Sequence, residues 1–210
     1  MQERYSHILE QWFIMEPPLF QVLCIHELVP NTQMKCPVRS GRKKLEYNPE
    51  IAVEMSDEAI EEALRAEAVR LLLKHPYERR PDGCSQQAMG LASNLVVGDN
   101  YSHPRFRIET PADFGLKSGM NYEWYAREVE KQQSGGGNGD GDNDSESGGI
   151  GEKHRDLAEL WEEDELTVQM INGVISSTKS WGSISGNFAE ILTSSLKAKI
   201  NWRNVFAGFR

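Results

Sequence analysis

The sequence predicts an α+β chain, mostly helical, with a few short strands near its N-terminus. Three observations predict it. Apolar residues recur at helical spacing over long stretches. Segment 22–48 instead combines contiguous apolar residues with turn chemistry around Gly41. Segment 134–149 is rich in glycine and acid and carries no larger apolar residue, so it separates two helical regions without joining a core. The chain has 210 residues, 39% of them hydrophobic. That suffices for a single domain, 1–210, with a core of its own.

The elements follow in order. Ile8, Trp12 and Met15, widened by Leu9 and Phe13, mark residues 1–16 as a helix. Pro17-Pro18 interrupts it. In "LFQVLCIHELVP" the run Val22 to Ile25 suits a short buried strand at least as well as a continuing helix. "NTQMKCPVRSGRKKLEYNP" predicts a hairpin or two short strands, with "KLEYN" the stronger. Ser56 suits an N-cap, and Asp57 and Glu58 suit the positive end of the helix that follows. That helix carries Ile60, Leu64, Leu71 and Leu72 and is expected to end near His75, because Pro76 disfavours helical geometry before it. "CSQQAMGLASNLVVGDNY" gives another helix, with Ala88, Leu91, Ala92, Leu95 and Val96 on one stripe and Gly98 as its stop. Residues 134–149, "SGGGNGDGDNDSESGG", are expected to be a disordered loop. "HRDLAELWEEDELTVQMINGVISSTKSWG" then reads as one long helix, and "SGNFAEILTSSLKAKINWRNVFAGF" as one or two shorter ones.

Charge narrows the function classes. The net charge is -9. Residues 134–165 hold eleven acids and two bases, so they account for all of it. Such a chain is not expected to bind nucleic acid, which selects a basic surface. The one basic cluster, "RSGRKK" at 39–44, reads as a solvated turn. No run of eighteen apolar residues is present, so no membrane span is expected. The N-terminus has no signal-peptide pattern. Three widely spaced cysteines, Cys24, Cys36 and Cys84, do not form a disulfide framework, and a cytoplasmic location is expected. Cys24, His26 and Cys36 match no zinc spacing. Asp140-x-Asp142-x-Asp144 starts like a calcium loop, but Ser145 and Gly151 stand where that loop needs glycine and glutamate.

One stretch carries a chemical question. Where a metallopeptidase helix reads His-Glu-x-x-His, this chain reads Ala66-Glu67-Ala68-Val69-Arg70. The motif works because residues i and i+4 share a helix face and grip one zinc ion, while the glutamate takes a proton from the bound water. Here the glutamate stands without either histidine. Its spacing from Ile60, Leu64 and Leu71 puts it on the apolar stripe, where a carboxylate needs a partner. Arg70, three residues on, is in reach for an ion pair.

Several blocks in the same order resemble a known family. Tyr47-Asn48-Pro49 precedes the helix. Ala66, Glu67, Arg70 and His75 keep the register of "HExxHxxxxHxxR", with Arg79 one residue further on. "LASNLVVG", with Ala92, Asn94 and Gly98, matches "iAaDlvvN". Trp181-Gly182 and "INWRNVFAGF", with Trp202 and Arg203, match the family's end. The chain thus resembles the zincin-like metallopeptidase domain found ahead of a von Willebrand factor A-like domain in bacterial proteins. The resemblance implies a small mixed sheet packed against the helix of residues 57–75. It implies zinc in active relatives, with the ligand positions degenerate here: Ala66 and Arg70 replace histidines, Asn94 stands for an aspartate, and His75 survives. Glu67 keeps the place of the general base as a vestige. No metal cofactor is then expected. The implied role is a catalytically inactive binding or scaffold module, with a MoxR-type AAA+ ATPase and a von Willebrand factor A-like domain as its company. The alternative is a metal-dependent hydrolase with a rearranged site, drawing on Glu67, His75 and Asp99 or His103. The acidic tract is a candidate for docking a basic partner.

Overall fold

Two helices lead into the sheet. The computed structural model describes residues 2–78, 80–135 and 153–197. Helix α1 (Gln2–Met15) buries Tyr5, Ile8 and Trp12. Helix α2 (Pro17–Leu23) begins on the two prolines, whose missing N–H groups cost nothing in a first helical turn. Residues 22 and 23 are therefore helical, and the strand expected there starts later, as β1 (Glu27–Pro30). The prolines decide this, because they start a helix that Cys24 closes with a bond from its N–H to the Phe20 carbonyl.

Strands β2 (Val38–Gly41) and β3 (Lys44–Tyr47) form the expected hairpin. Its two-residue turn, Arg42-Lys43, has φ of 49° and 57°, the left-handed pair that matches strand twist in a tight hairpin. The strand order is β1-β3-β2, with β3 parallel to β1 and antiparallel to β2. Leu45 pairs with Leu28 on one side and Ser40 on the other. The sheet is thus small and mixed. Asn48 then caps a short helix, α3 (Pro49–Val53), by accepting from the N–H groups of Glu50 and Ile51.

Helix α4 (Asp57–Leu72) is capped by Ser56 as expected and packs on α1, α2 and β2. From Ala66 to Leu72 every residue is buried. A helix covered on all sides lies inside the molecule. It ends three residues before the expected His75, because Lys74 turns the chain through a left-handed φ of 62°. Helix α5 (Gln86–Asn100), capped by Ser85, runs through Gly98. That glycine serves close packing rather than termination, since a Cβ there would collide with the Glu109 carbonyl. Helix α6 (Tyr122–Gly135) packs along α5 through Tyr122, Tyr125, Ala126 and Val129.

The long helix expected after the acidic loop is broken. Residues 153–157 are helical, 158–160 turn, and 161–164 have no regular secondary structure. The Glu162 and Asp164 N–H groups bond the carbonyls of Pro76 and Tyr77 instead of continuing a helix. Asp164 then caps helix α7 (Glu165–Ser177) by accepting from Thr167. Helix α8 (Gly186–Lys197) packs on α7. Residues 134 and 135 belong to α6; the rest of the 134–149 stretch, with Asp140, Asp142 and Asp144, lies outside the described residues. So do Arg79, Trp202 and Arg203. The fold is α+β, mostly helical, with a three-stranded mixed sheet against α4. No helix among the described residues is long and apolar enough to cross a membrane.

Candidate functional site

The second half of α4 places a carboxylate and a guanidinium in the interior. Glu67 is 3% exposed and Arg70 is 2% exposed. Charges so placed persist only if they are paired and hydrogen-bonded. Arg70 Nε donates to Glu67 Oε1 at 3.1 Å, and Ser40 of β2 donates to Glu67 Oε2 at 2.8 Å. The ion pair expected from the i, i+3 spacing is present. The rest of the guanidinium turns to α5, where Nη1 donates to Ser93 Oγ at 2.6 Å and Nη2 to Asn94 Oδ1 at 2.8 Å. A planar fork with donors on three sides meets three partners at once.

The network extends outward from there. Asn94 Nδ2 donates to Glu109 Oε2 at 2.8 Å. Glu109 Oε1 lies 3.3 Å from His154 Nε2, close enough for an ion pair but not aligned as a hydrogen bond. Burial works against ionisation of Glu109, yet the His154 ring and the Asn94 amide hold its carboxyl down at about 2. Ser93 Oγ also lies 2.7 Å from His75 Nδ1. The His75 ring stacks on Tyr122, with centroids 4.2 Å apart.

Four of the five positions singled out in the sequence belong to this one network. Glu67, Arg70 and Asn94 are bonded directly. His75 joins through Ser93, and Ala66 sits buried one turn before Arg70 on α4. His75 is fully buried in the interior, just past the end of α4. Asp99 is engaged elsewhere, accepting from the Gly119 N–H and the Tyr125 hydroxyl. His103 stands against Tyr101; burial, with the Arg65 and Arg70 charges, lowers its pKa to about 4. Among the described residues no three His, Cys, Asp or Glu side chains gather as a metal site.

The residues present do not fit a zinc ion at this place. Arg70 supplies a fixed positive charge bonded to the same groups that would have to turn toward a metal, and Ala66 offers no donor atom. A cavity of about 20 Å³, room for about one water, adjoins the pair and is lined in part by Cys36, Glu67, Arg70, Asn94, His154 and Leu157. Burial, with Asp156 close by, pushes the Cys36 thiol well up, so it is a poor nucleophile.

Ser40, Ser93, Glu109 and His154 complete the site without having been anticipated. Ser93 adjoins Asn94 in the quoted block, and Ser40 sits at a buried strand position, so both had a local signal. Glu109 and His154 arrive from distant segments and had none. The basic cluster also needs correction. Arg39 is buried and pairs with Glu46 at 2.8 Å, Asp156 at 2.7 Å and Glu159 at 2.5 Å. Only Arg42 and Lys43 form the turn, and they meet Glu162 at 3.0 Å and Asp164 at 3.6 Å. Four acids of the acidic tract are thus engaged by the chain's own basic hairpin.

No family model, characterised protein or solved structure matches the chain.

Proposed function

We propose that the chain is a zincin-like metallopeptidase domain that has lost its metal site and acts as a binding or scaffold module. The observation that carries the reading is the convergence of Glu67, Arg70, His75 and Asn94. These positions came from a motif register in the sequence; the Arg70 guanidinium bonds Glu67 and Asn94 directly and reaches His75 through Ser93. The packing of α4 against a small mixed sheet fits the same reading. Arg70 takes over the electrostatic task of a metal, holding Glu67 and its neighbours in place with a cation that cannot be lost. Glu67 has no metal-bound water to deprotonate, so its role is structural. The proposed company is a MoxR-type AAA+ ATPase and a von Willebrand factor A-like domain, both implied by the resemblance.

The test of the role is affinity purification of the tagged protein from its native organism. Recovery of an AAA+ ATPase in stoichiometric amount is expected. Recovery of none, together with metal-dependent peptide hydrolysis by the purified chain, would replace the scaffold reading with the hydrolase one.

A further inference from the structure

The cavity beside Glu67 and Arg70 is roofed by a short piece of chain whose attachment differs sharply along its length. Residues 157–161 are fixed by apolar burial: Leu157, Ala158, Leu160 and Trp161 all lie in the interior. Residues 153–156 are held otherwise. Arg155 is exposed, Lys153 and Asp156 are half-buried, and only His154 is enclosed. Lys153, His154 and Leu157 are the residues this segment adds to the cavity wall.

One carboxylate does most of the holding. Asp156 Oδ2 accepts from the Lys35 N–H at 2.6 Å, the Cys36 N–H at 3.1 Å and Cys36 Sγ at 3.2 Å. Its Oδ1 accepts from Arg39 Nη1 at 2.7 Å, and the same Nη1 reaches the Asp156 backbone carbonyl at 3.0 Å. A second attachment is the contact of His154 with Glu109. The third is steric. Gly90 of α5 lacks the Cβ that would otherwise collide with the His154 carbonyl, so the segment lies directly on the helix.

We propose that residues 153–156 are a latched flap over this cavity, with Asp156 as the latch and Leu157 to Trp161 as the fixed side of the hinge. Opening breaks hydrogen bonds that water can replace and exposes little apolar surface. Unlatching at Asp156 would therefore occur well below the cost of global unfolding, as local openings do where few apolar contacts are lost. The opened state exposes the Cys36 thiol and the Arg70 face of the cavity. The proposal rests on the attachments of this segment alone and stands whether or not the metallopeptidase-like reading holds.

Cys36 is a built-in reporter. In the Cys24→Ser/Cys84→Ser background it is the single thiol. Its labelling by an aromatic disulfide reagent is followed at rising reagent concentration until the rate levels off. That plateau is the opening rate and does not depend on the acidity of the thiol. The expected plateau is at least a hundredfold faster than global unfolding extrapolated from urea. Asp156→Asn should raise it at least tenfold and keep it at least a hundredfold above that variant's own global unfolding rate. Labelling of Cys36 only at the global unfolding rate overturns the proposal. So does a plateau that Asp156→Asn leaves unmoved. If that variant does not fold, amide exchange in the unsubstituted chain decides. The Lys35 and Cys36 N–H groups, which bond the latch, should exchange far faster than the interior amides of α4. Equal protection overturns the flap.

Discussion

Replacing Arg70 with methionine removes the cation from the buried site and keeps its bulk. Glu67 then retains Ser40 alone, a single hydroxyl donor for a carboxylate 3% exposed. Ser93 keeps His75, and Asn94 keeps Glu109, so those two lose less. The dominant cost is the stranded charge, which for a buried pair broken from one side is about 3–5 kcal/mol. In a chain of this size that lowers Tm by on the order of 10 °C. Urea unfolding followed by tryptophan fluorescence measures it. The companion variant Arg70→Met/Glu67→Gln removes the charge and keeps the hydrogen-bonding shape, and it should recover at least half the loss. A non-additive cycle of this kind reports the pair itself. Unchanged stability in Arg70→Met would refute the reasoning. So would an Arg70→Met loss that Glu67→Gln fails to relieve.

Three further outcomes follow from the same geometry. Ser40→Ala should cost about 1–2 kcal/mol, the penalty for leaving a buried acceptor short of one donor, and less than Arg70→Met in the same urea experiment. Gly90→Ala places a methyl against the His154 carbonyl, and overpacking of that kind costs about 1–3 kcal/mol; an unchanged urea midpoint would contradict the close approach. Stability should also depend on acid. Burial lowers the pKa of both His26 and His103 to about 4, against about 6.5 in the unfolded chain. The folded state disfavours protonation, so this stability is complete above pH 6.5. It is lost as pH falls toward 4, at on the order of 1 kcal/mol per pH unit for each group. Glu109, held at about 2, adds a second loss from about pH 4.3 downward. A urea midpoint equal at pH 7 and pH 5 would refute the histidine contribution.

What the sequence revealed and concealed has physical reasons. Ser56 and the apolar stripe behind it announced α4, because capping and periodicity are local. Arg42-Lys43 formed the hairpin turn where glycine chemistry pointed to one. The Glu67–Arg70 pair was legible because both residues lie on one helix, three apart. Pro17-Pro18 interrupted the first helix as expected, and the same prolines start α2, because proline suits a first turn. The helix expected through 154–182 failed at 158–164 because Pro76 and Tyr77, far back in the chain, draw that backbone away. Arg39 looked solvated for the same kind of reason, since its acids Asp156 and Glu159 come from more than a hundred residues on. Helix α6 was not anticipated, although Tyr122, Tyr125, Ala126 and Val129 carry a helical spacing. Periodicity and capping act within a turn or two of helix, whereas the second half of this site is assembled by tertiary contact.

The proposed reading puts a guanidinium where the metallopeptidase-like register would hold a metal. Placing the motif's two histidines in this chain tests it most directly. In Ala66→His/Arg70→His the cation is gone, and two imidazoles share one face of α4. If the claim holds, the variant binds one zinc ion per chain by isothermal titration, and adding His75→Ala weakens that binding. The unsubstituted chain should take up none at this place. A double variant that folds, judged by its circular dichroism, and binds no zinc would contradict the claim.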